Sequence, residues 1–445
     1  MSSNVSTVVD RVLTGEPATL TDPVSGLERI SAIDVLRGVA LLGILLINIT
    51  SFALPYEGTR TLLAGSPRDP NTIVWFVVAV LFEGKMRALF SMLFGAGVIL
   101  LTERFERRGD FARVADIYYR RTLWLLAFGL AHAYFLWEGD ILTAYGLAGL
   151  FLYPFRKLRG RSLVVLGVLV LTLTLPAAVI EAQRLTRLHT AAAEAEAQKA
   201  AGHTLTRKQR DELNDWQDEL DDAHPDADTV AESVTAHRGG YWTLFMRRSE
   251  RVDDFTADDF FDTVGMMLVG MGLLKLRVIS GLRSTRFYAL LAILGLAIGL
   301  PLHAFAAWRA YSSGFDPIEI AWITATYNPG RLAIAVAYIG LVMLLARAGI
   351  LRPLTAGLAA VGRTALSNYL ATTLICTTLF DGYGFGLFDR LQRWELYLVV
   401  LAIWTLQLVA SPIWLRYYLF GPAEWGWRSL TYWKEQPLMR DRLEA

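Results

Sequence analysis

The chain has 445 residues, 54% of them hydrophobic and 19% charged, with 43 Lys and Arg against 42 Asp and Glu. So even a balance leaves no electrostatic footprint for nucleic acid, and apolar runs of the roughly 20 residues that cross a bilayer recur along most of the length. A soluble globular enzyme is thereby excluded, and the lone Cys376 excludes an internal disulfide and any CxxC metal or redox motif.

Residues 1–30 are polar and lack the apolar core of a cleavable signal peptide, so they read as a cytoplasmic tail. Ten spans follow, at about 33–54, 82–102, 119–137, 140–156, 161–183, 258–276, 286–308, 331–349, 361–380 and 395–418. The expected fold is all-α, a polytopic transmembrane helical bundle. The apolar stretch NTIVWFVVAVLF ahead of span two makes that segment too long for one helix, and EGK at 83–85 marks a break. Lys and Arg concentrate in alternate connections: Arg104, Arg107, Arg108, Arg120 and Arg121, then Arg156 and Lys157, then Lys275 and Arg277, then Arg347, Arg352 and Arg363, with Arg428 and Arg442 in the carboxy-terminal tail. The opposite connections hold little besides Arg60, Arg68, Arg390 and Arg393. This bias predicts a multi-pass protein of the bacterial cytoplasmic (inner) membrane with both termini cytoplasmic.

The expected organisation is a 31–183 bundle, a polar 184–257 insert on the extracytoplasmic side, a 258–420 bundle and a 421–445 juxtamembrane tail. In the insert, AAAEAEAQKAAG is strongly helix-forming, and Thr206 and Gln209 are spaced as a capping box for a second helix that ends before Pro225. His189, His203, His224 and His237 lie here without HxxxH spacing, so no metal is expected. No internal repeat is visible, and pairs such as Gly270 and Gly272 do not by themselves argue a dimer, so the oligomeric state stays open.

Ionisable groups in apolar spans are costly and mark function. Asp34 and Arg37 stand at i and i+3 at the start of span one, as a site or as a helix cap and a snorkelling arginine. Asn48 lies roughly 16 Å further along the same helix. Glu83, Lys85 and Arg87 begin span two, as a site or as an interfacial ion cluster. In LWLLAFGLAHAYFLWEGDIL, His132 is placed in the outer half of span three, with Glu138 and Asp140 in a turn at the membrane surface. A histidine beside carboxylates suits a general base at neutral pH, or a hydrogen bond between helices. Arg363, Ser367, Asn368 and Tyr369 fall at the inner end of span nine and Asp381 at its outer end. Two polar layers result: an inner one of Asp34, Arg37, Arg363, Ser367, Asn368 and Glu424, and an outer one of Asn48, Glu83, Lys85, Arg87, His132, Glu138, Asp140 and Asp381.

The motifs IDVLRGVALLGILLINI, FEGKMRALFSMLFGAG, GLAHAYFLWEGDILTAYGLAGL, GRTALSNYLATTLI, YGFGLF and FGPAEWGWRSLTYW together resemble the YeiB family of bacterial membrane proteins, over nearly all the chain except the tail and the 184–230 insert. The opening motif is also similar to that of transmembrane acyltransferases such as heparan-α-glucosaminide N-acetyltransferase and the acyltransferase type 3 proteins. That similarity implies a ten-helix bundle with a central cavity, in which cytoplasmic acyl-CoA, a co-substrate, meets an acceptor from the other side. The type 3 pattern has a histidine in its first span, where this sequence has Asn48.

Two readings follow. In an acyltransferase, Arg37 and Arg363 bind the donor phosphates, His132 oriented by Glu138 or Asp140 takes the proton of a sugar, lipid or small-molecule acceptor, and Asn48 or Lys85 stabilises the oxyanion. Transfer would then be direct, with no cysteine nucleophile. In a transporter, or a non-enzymatic binding or assembly factor, the two layers line a path for a small solute or lipid, with membrane lipids as surroundings in both cases.

Overall fold

The opening apolar run folds as α1 (Ser31–Ala53), 23 residues and long enough to cross a bilayer. In this computed structural model residues 31–55, 66–107, 109, 111–251, 256–349 and 351–440 are described; the tail 1–30, Arg60, Arg108 and Arg442 lie outside the described residues. The end of the bundle where α1 begins is called the near face, and the end where it finishes the far face.

The expected break before span two is present. Helix α2 (Pro70–Leu81) is capped by Asp69, whose carboxylate accepts from Asn71 N at 2.7 Å. It stops at Phe82, and Gly84 turns with φ +70° into α3 (Lys85–Arg107). Helix α4 (Phe111–Phe135) returns to α5 (Leu142–Leu152), which has only 11 residues before a 3₁₀ turn over Tyr153–Lys157. Helices α6 (Gly160–Thr172) and α7 (Thr174–Ala200) carry the chain out of the bundle, and α7 pairs with α8 (Arg207–Ala223) as a hairpin tied by Arg184 to Glu219 at 2.5 Å. The Thr206–Gln209 capping box is formed. Helices α9 (Ala227–His237) and α10 (Tyr241–Arg251) bring the chain back.

The second half runs through α11 (Ala257–Lys275), α12 (Thr285–Ser312), the short α13 (Pro317–Ala325) and α14 (Tyr327–Ala348). The expected span nine divides at Thr364 into α15 (Arg352–Arg363) and α16 (Ala365–Phe380). Helix α17 (Arg393–Tyr417) and the amphipathic α18 (Pro422–Tyr432) complete the chain.

Small residues set the packing. A Cβ on Gly38 would sit 2.1 Å from Leu358 O, and one on Gly362 1.9 Å from Asp34 O, so α1 and α15 touch backbone to backbone. Gly270 meets Met92 O on α3 and Gly272 meets Gly160 on α6, so both are used inside the chain. Leu36, Met92, Ala96, Met267, Met271 and Ile339 fill the centre. Large apolar side chains face outward on α12 (Ile293, Leu294, Ile298, Phe305) and α17 (Leu398, Leu401, Leu406, Val409). Continuous outward apolar stripes around a core that holds charged groups belong to a surface that meets lipid.

Candidate functional site

On α4, the Arg121 guanidinium lies 3.7 Å over the Trp427 ring of α18, which fixes the level of the near face. His132 stands eleven residues on, about 16 Å along the helix, close to the middle of a roughly 30 Å hydrocarbon core. Helix α5, with only 11 residues, follows α4 after a short turn.

His132 Nε2 lies 2.9 Å from Thr373 Oγ1, halfway along α16. Nδ1 lies 2.9 Å from Asp140 Oδ1, with both side chains 1% exposed. This second approach has ion-pair distance without the alignment of a good hydrogen bond. Asp140 is itself held: Oδ2 accepts from Thr143 N at 2.6 Å and from Thr143 Oγ1 at 2.8 Å, capping the entry to α5. The Tyr369 hydroxyl donates to Asp140 Oδ1 at 3.4 Å and accepts from Ile141 N at 3.3 Å, with its ring 5.1 Å from the imidazole. With the Nδ1 proton turned to Asp140, Nε2 accepts from Thr373.

Thr373 opens onto a narrow cavity between α1, α16 and α17. Leu41, Leu45, Asn48, Phe52, Trp137, Tyr369, Thr372 and Gln407 line it with Thr373, and it has room for little more than a single water. His132 does not line it, but its Nε2 lies against Thr373, which does. Gln407 Nε2 is committed to Thr372 Oγ1 at 2.7 Å and Asn368 O at 3.1 Å. The Asn48 amide has no bonding partner among the described residues.

The other predicted outer residues separate into two clusters. Glu138, expected as one orienter of His132, instead faces Arg248 of α10 at 3.6 Å, and Arg248 bonds Asp381 Oδ2 at 2.7 Å. Asp381 lies in the loop beyond α16, where burial pushes its carboxyl up to about 6 against the pull of Arg248. Beside this pair, the ring of His237 stacks at 3.9 Å on Phe388 and its carbonyl accepts from Gly382 N at 2.9 Å, so α9 and α10 close over the far mouth. Lys85, fully buried, donates to Ala79 O at 2.6 Å and meets His303 Nδ1 at 3.1 Å; it does not reach the cavity and so is not placed to act as its oxyanion donor. Arg87 pairs with Asp259 at 3.4 Å and Asp262 at 3.3 Å, and Asp262 is shared with buried Arg331. The Glu83 carbonyl accepts from Tyr327.

The inner layer is likewise divided. Asp34 pairs with Arg37 at 3.5 Å. The Glu424 carboxylate accepts from Leu366 N at 2.6 Å and Ser367 N at 3.1 Å, capping α16 from α18; burial raises its carboxyl while these bonds lower it. Asn368 joins Thr364 and Ser411, each at 2.9 Å, and Arg363 ends α15. Tyr369, early in α16 with them, turns its hydroxyl to Asp140 and so joins the His132 site.

Sequence reasoning misses Thr373, Asp262, His303 and Arg331, and for Arg248 it leaves open an interfacial place or the floor of an outer pocket. The face Tyr369, Thr372, Thr373, Cys376 at i, i+3, i+4 and i+7 carries a signal for the first, and His303 and Arg331 are isolated ionisable groups in apolar runs. Among the described residues no group of three His, Cys, Asp or Glu is placed to hold a metal.

Fold and site together define an all-α helical membrane protein with a histidine and carboxylate set behind a hydroxyl at an internal cavity. Residues 273–434 match a family described as a protein of unknown function, DUF418. The chain is 33% identical to the uncharacterized protein YeiB of Escherichia coli (strain K12), over 91% of this chain and 97% of that protein. It is 29% identical to the uncharacterized protein YxaH of Bacillus subtilis (strain 168), over 93% and 96%. The chain belongs to the YeiB family. No solved structure matches it.

Proposed function

We propose that this protein is a membrane acyltransferase, which moves an acyl group from a cytoplasmic acyl-CoA at the near face to a sugar, lipid or small-molecule acceptor from the far face. The observation that carries the reading is the Asp140–His132–Thr373 line, a carboxylate behind an imidazole behind a hydroxyl, at 2.9 Å per step and with Thr373 lining a cavity. A buried imidazole oriented beside a carboxylate is placed to act as a general base. Asn48 supplies the donor for a developing oxyanion from the facing helix. Arg37, beside Asp34 at the near face, and Arg363 take the donor phosphates. The narrowness of the cavity means that the acyl chain enters by displacing side chains, with Phe52 and Trp137, stacked at 4.1 Å, closing its far side. The protein sits in the bacterial inner membrane, with both termini cytoplasmic.

Purified protein in mild detergent, assayed for acyl-CoA binding and for release of CoA, tests this. Binding with turnover that His132→Ala abolishes is the expected result. Absence of both, in folded protein, overturns the reading; binding without turnover moves it to a solute- or lipid-binding protein.

A further inference from the structure

Resting on the acyltransferase reading, we propose that Thr373 is itself acylated, so that transfer runs through a covalent Thr373 ester and not by direct attack of the acceptor on the donor.

Three observations point to this. Thr373 lines the cavity while His132 does not, so of the two it is Thr373 that a carbonyl lodged there meets. His132 Nε2 is already matched to Thr373 Oγ1, at 2.9 Å. And the three groups stand in the nucleophile, base and orienter relation that activates a hydroxyl, with the orienter locked by the backbone N–H of Thr143 at 2.6 Å. Thr373 Oγ1 has one further contact, a weak return to Tyr369 O at 3.4 Å, which does not compete with His132. The nearby thiol is no rival: Cys376 is fully buried among Leu45, Ile49 and Phe380.

The step balances without an added oxidant or metal. Thr373 Oγ1 attacks the thioester carbon of acyl-CoA as His132 Nε2 takes its proton. The oxyanion collapses, the C–S bond breaks, and the CoA sulfur leaves with the proton from His132. An acceptor hydroxyl or amine then attacks the Thr373 ester, giving its proton to His132, which returns it to Thr373 Oγ1. The two half-reactions make the kinetics ping-pong, with CoA leaving before acceptor enters.

The test is to incubate the full-length protein in detergent with acetyl-CoA or palmitoyl-CoA without acceptor, quench it in acid and map acylated peptides by mass spectrometry. The proposal expects an acyl ester on Thr373, a burst of about one CoA per chain, a loss of roughly 10³-fold or more in Thr373→Val, and rescue to within about tenfold in Thr373→Ser. Val is nearly isosteric with Thr, so folded yield and melting temperature separate a chemical effect from a structural one. If Thr373→Val transfers acyl groups at the wild-type rate while His132→Gln does not, the acyltransferase reading stands and the covalent step is wrong. If folded wild-type protein neither binds acyl-CoA nor releases CoA, both fall.

Discussion

Replacing Asp140 by asparagine tests the site without removing its shape. Thr143 N donates to Asp140 Oδ2 at 2.6 Å, so an acceptor must remain at that position. The introduced amide can satisfy it only with its oxygen there, which turns the NH₂ toward His132 Nδ1 at the 2.9 Å position of Oδ1. Nδ1 must then accept, the ring proton moves to Nε2, and Nε2 donates to Thr373 where it should accept. The base is lost while the capping bond survives. A tautomer exchange of this kind in a hydroxyl–His–Asp site lowers kcat by roughly 10⁴, or about 5.5 kcal/mol of barrier. Stability should change by only about 1 kcal/mol, one exchanged hydrogen bond. The assay is CoA release under saturating acyl-CoA, beside thermal unfolding in the same detergent. An Asp140→Asn variant that melts like wild type and turns over within tenfold of it would refute the tautomer argument.

Arg331→Met leaves the Asp262 carboxylate with only Arg87, at 3.3 Å, so unfolding free energy should fall by about 3 kcal/mol, read from thermal unfolding; an unchanged melting temperature would sink the claim that this buried pair is a structural anchor. Gly270→Ala puts a methyl 1.9 Å from Met92 O and should cost about 1–3 kcal/mol by forcing α3 from α11, whereas Gly426→Ala, with nothing within 4 Å, should leave the melting temperature alone. Arg248→Ala should free α9 and α10 from the far mouth and increase their cleavage by added protease; equal protection in both proteins would show that Arg248 is not the tie. The same variant carries a pH signature. Burial holds the Asp381 carboxyl at about 6 against its ordinary 3.8, so the stability this group supplies is present below about 4 and lost as pH rises through about 6. Without Arg248 the ionised form is less favoured still, so the gap to wild type should widen as pH rises through about 6 and close in acid.

What was legible in the sequence is what depends on near neighbours. The helix break at 83–85 shows because Gly84 interrupts an apolar run, and the Thr206–Gln209 box because a cap reaches only three residues. His132 and Asp140 could be paired because one turn joins them. Thr373 could not be joined to them, since it is 241 residues from His132 and no local pattern records which helices meet. Arg248 belongs to a strongly amphipathic helix whose Trp242 and Met246 are exposed, and its sequence fits an interfacial helix as well as one that turns a charge inward.

The choice between Glu138 and Asp140 shows where such reading stops. Two carboxylates in one turn, two residues apart, are equivalent partners for a nearby histidine when only spacing is known. Capping separates them. Asp140 precedes Thr143 by three residues, so its carboxylate can accept the first free N–H groups of α5, and a side chain tied to a helix terminus keeps one rotamer. That rotamer holds its second oxygen on His132. Glu138 has no such tie, and its longer side chain turns away to Arg248, which comes from a different part of the chain. The positioned base and the closed far mouth therefore rest on one turn, in which Asp140 faces the cavity side and Glu138 the returning insert. A change that loosens the cap of α5, such as Thr143→Val, should disturb His132 first and the Arg248 tie least.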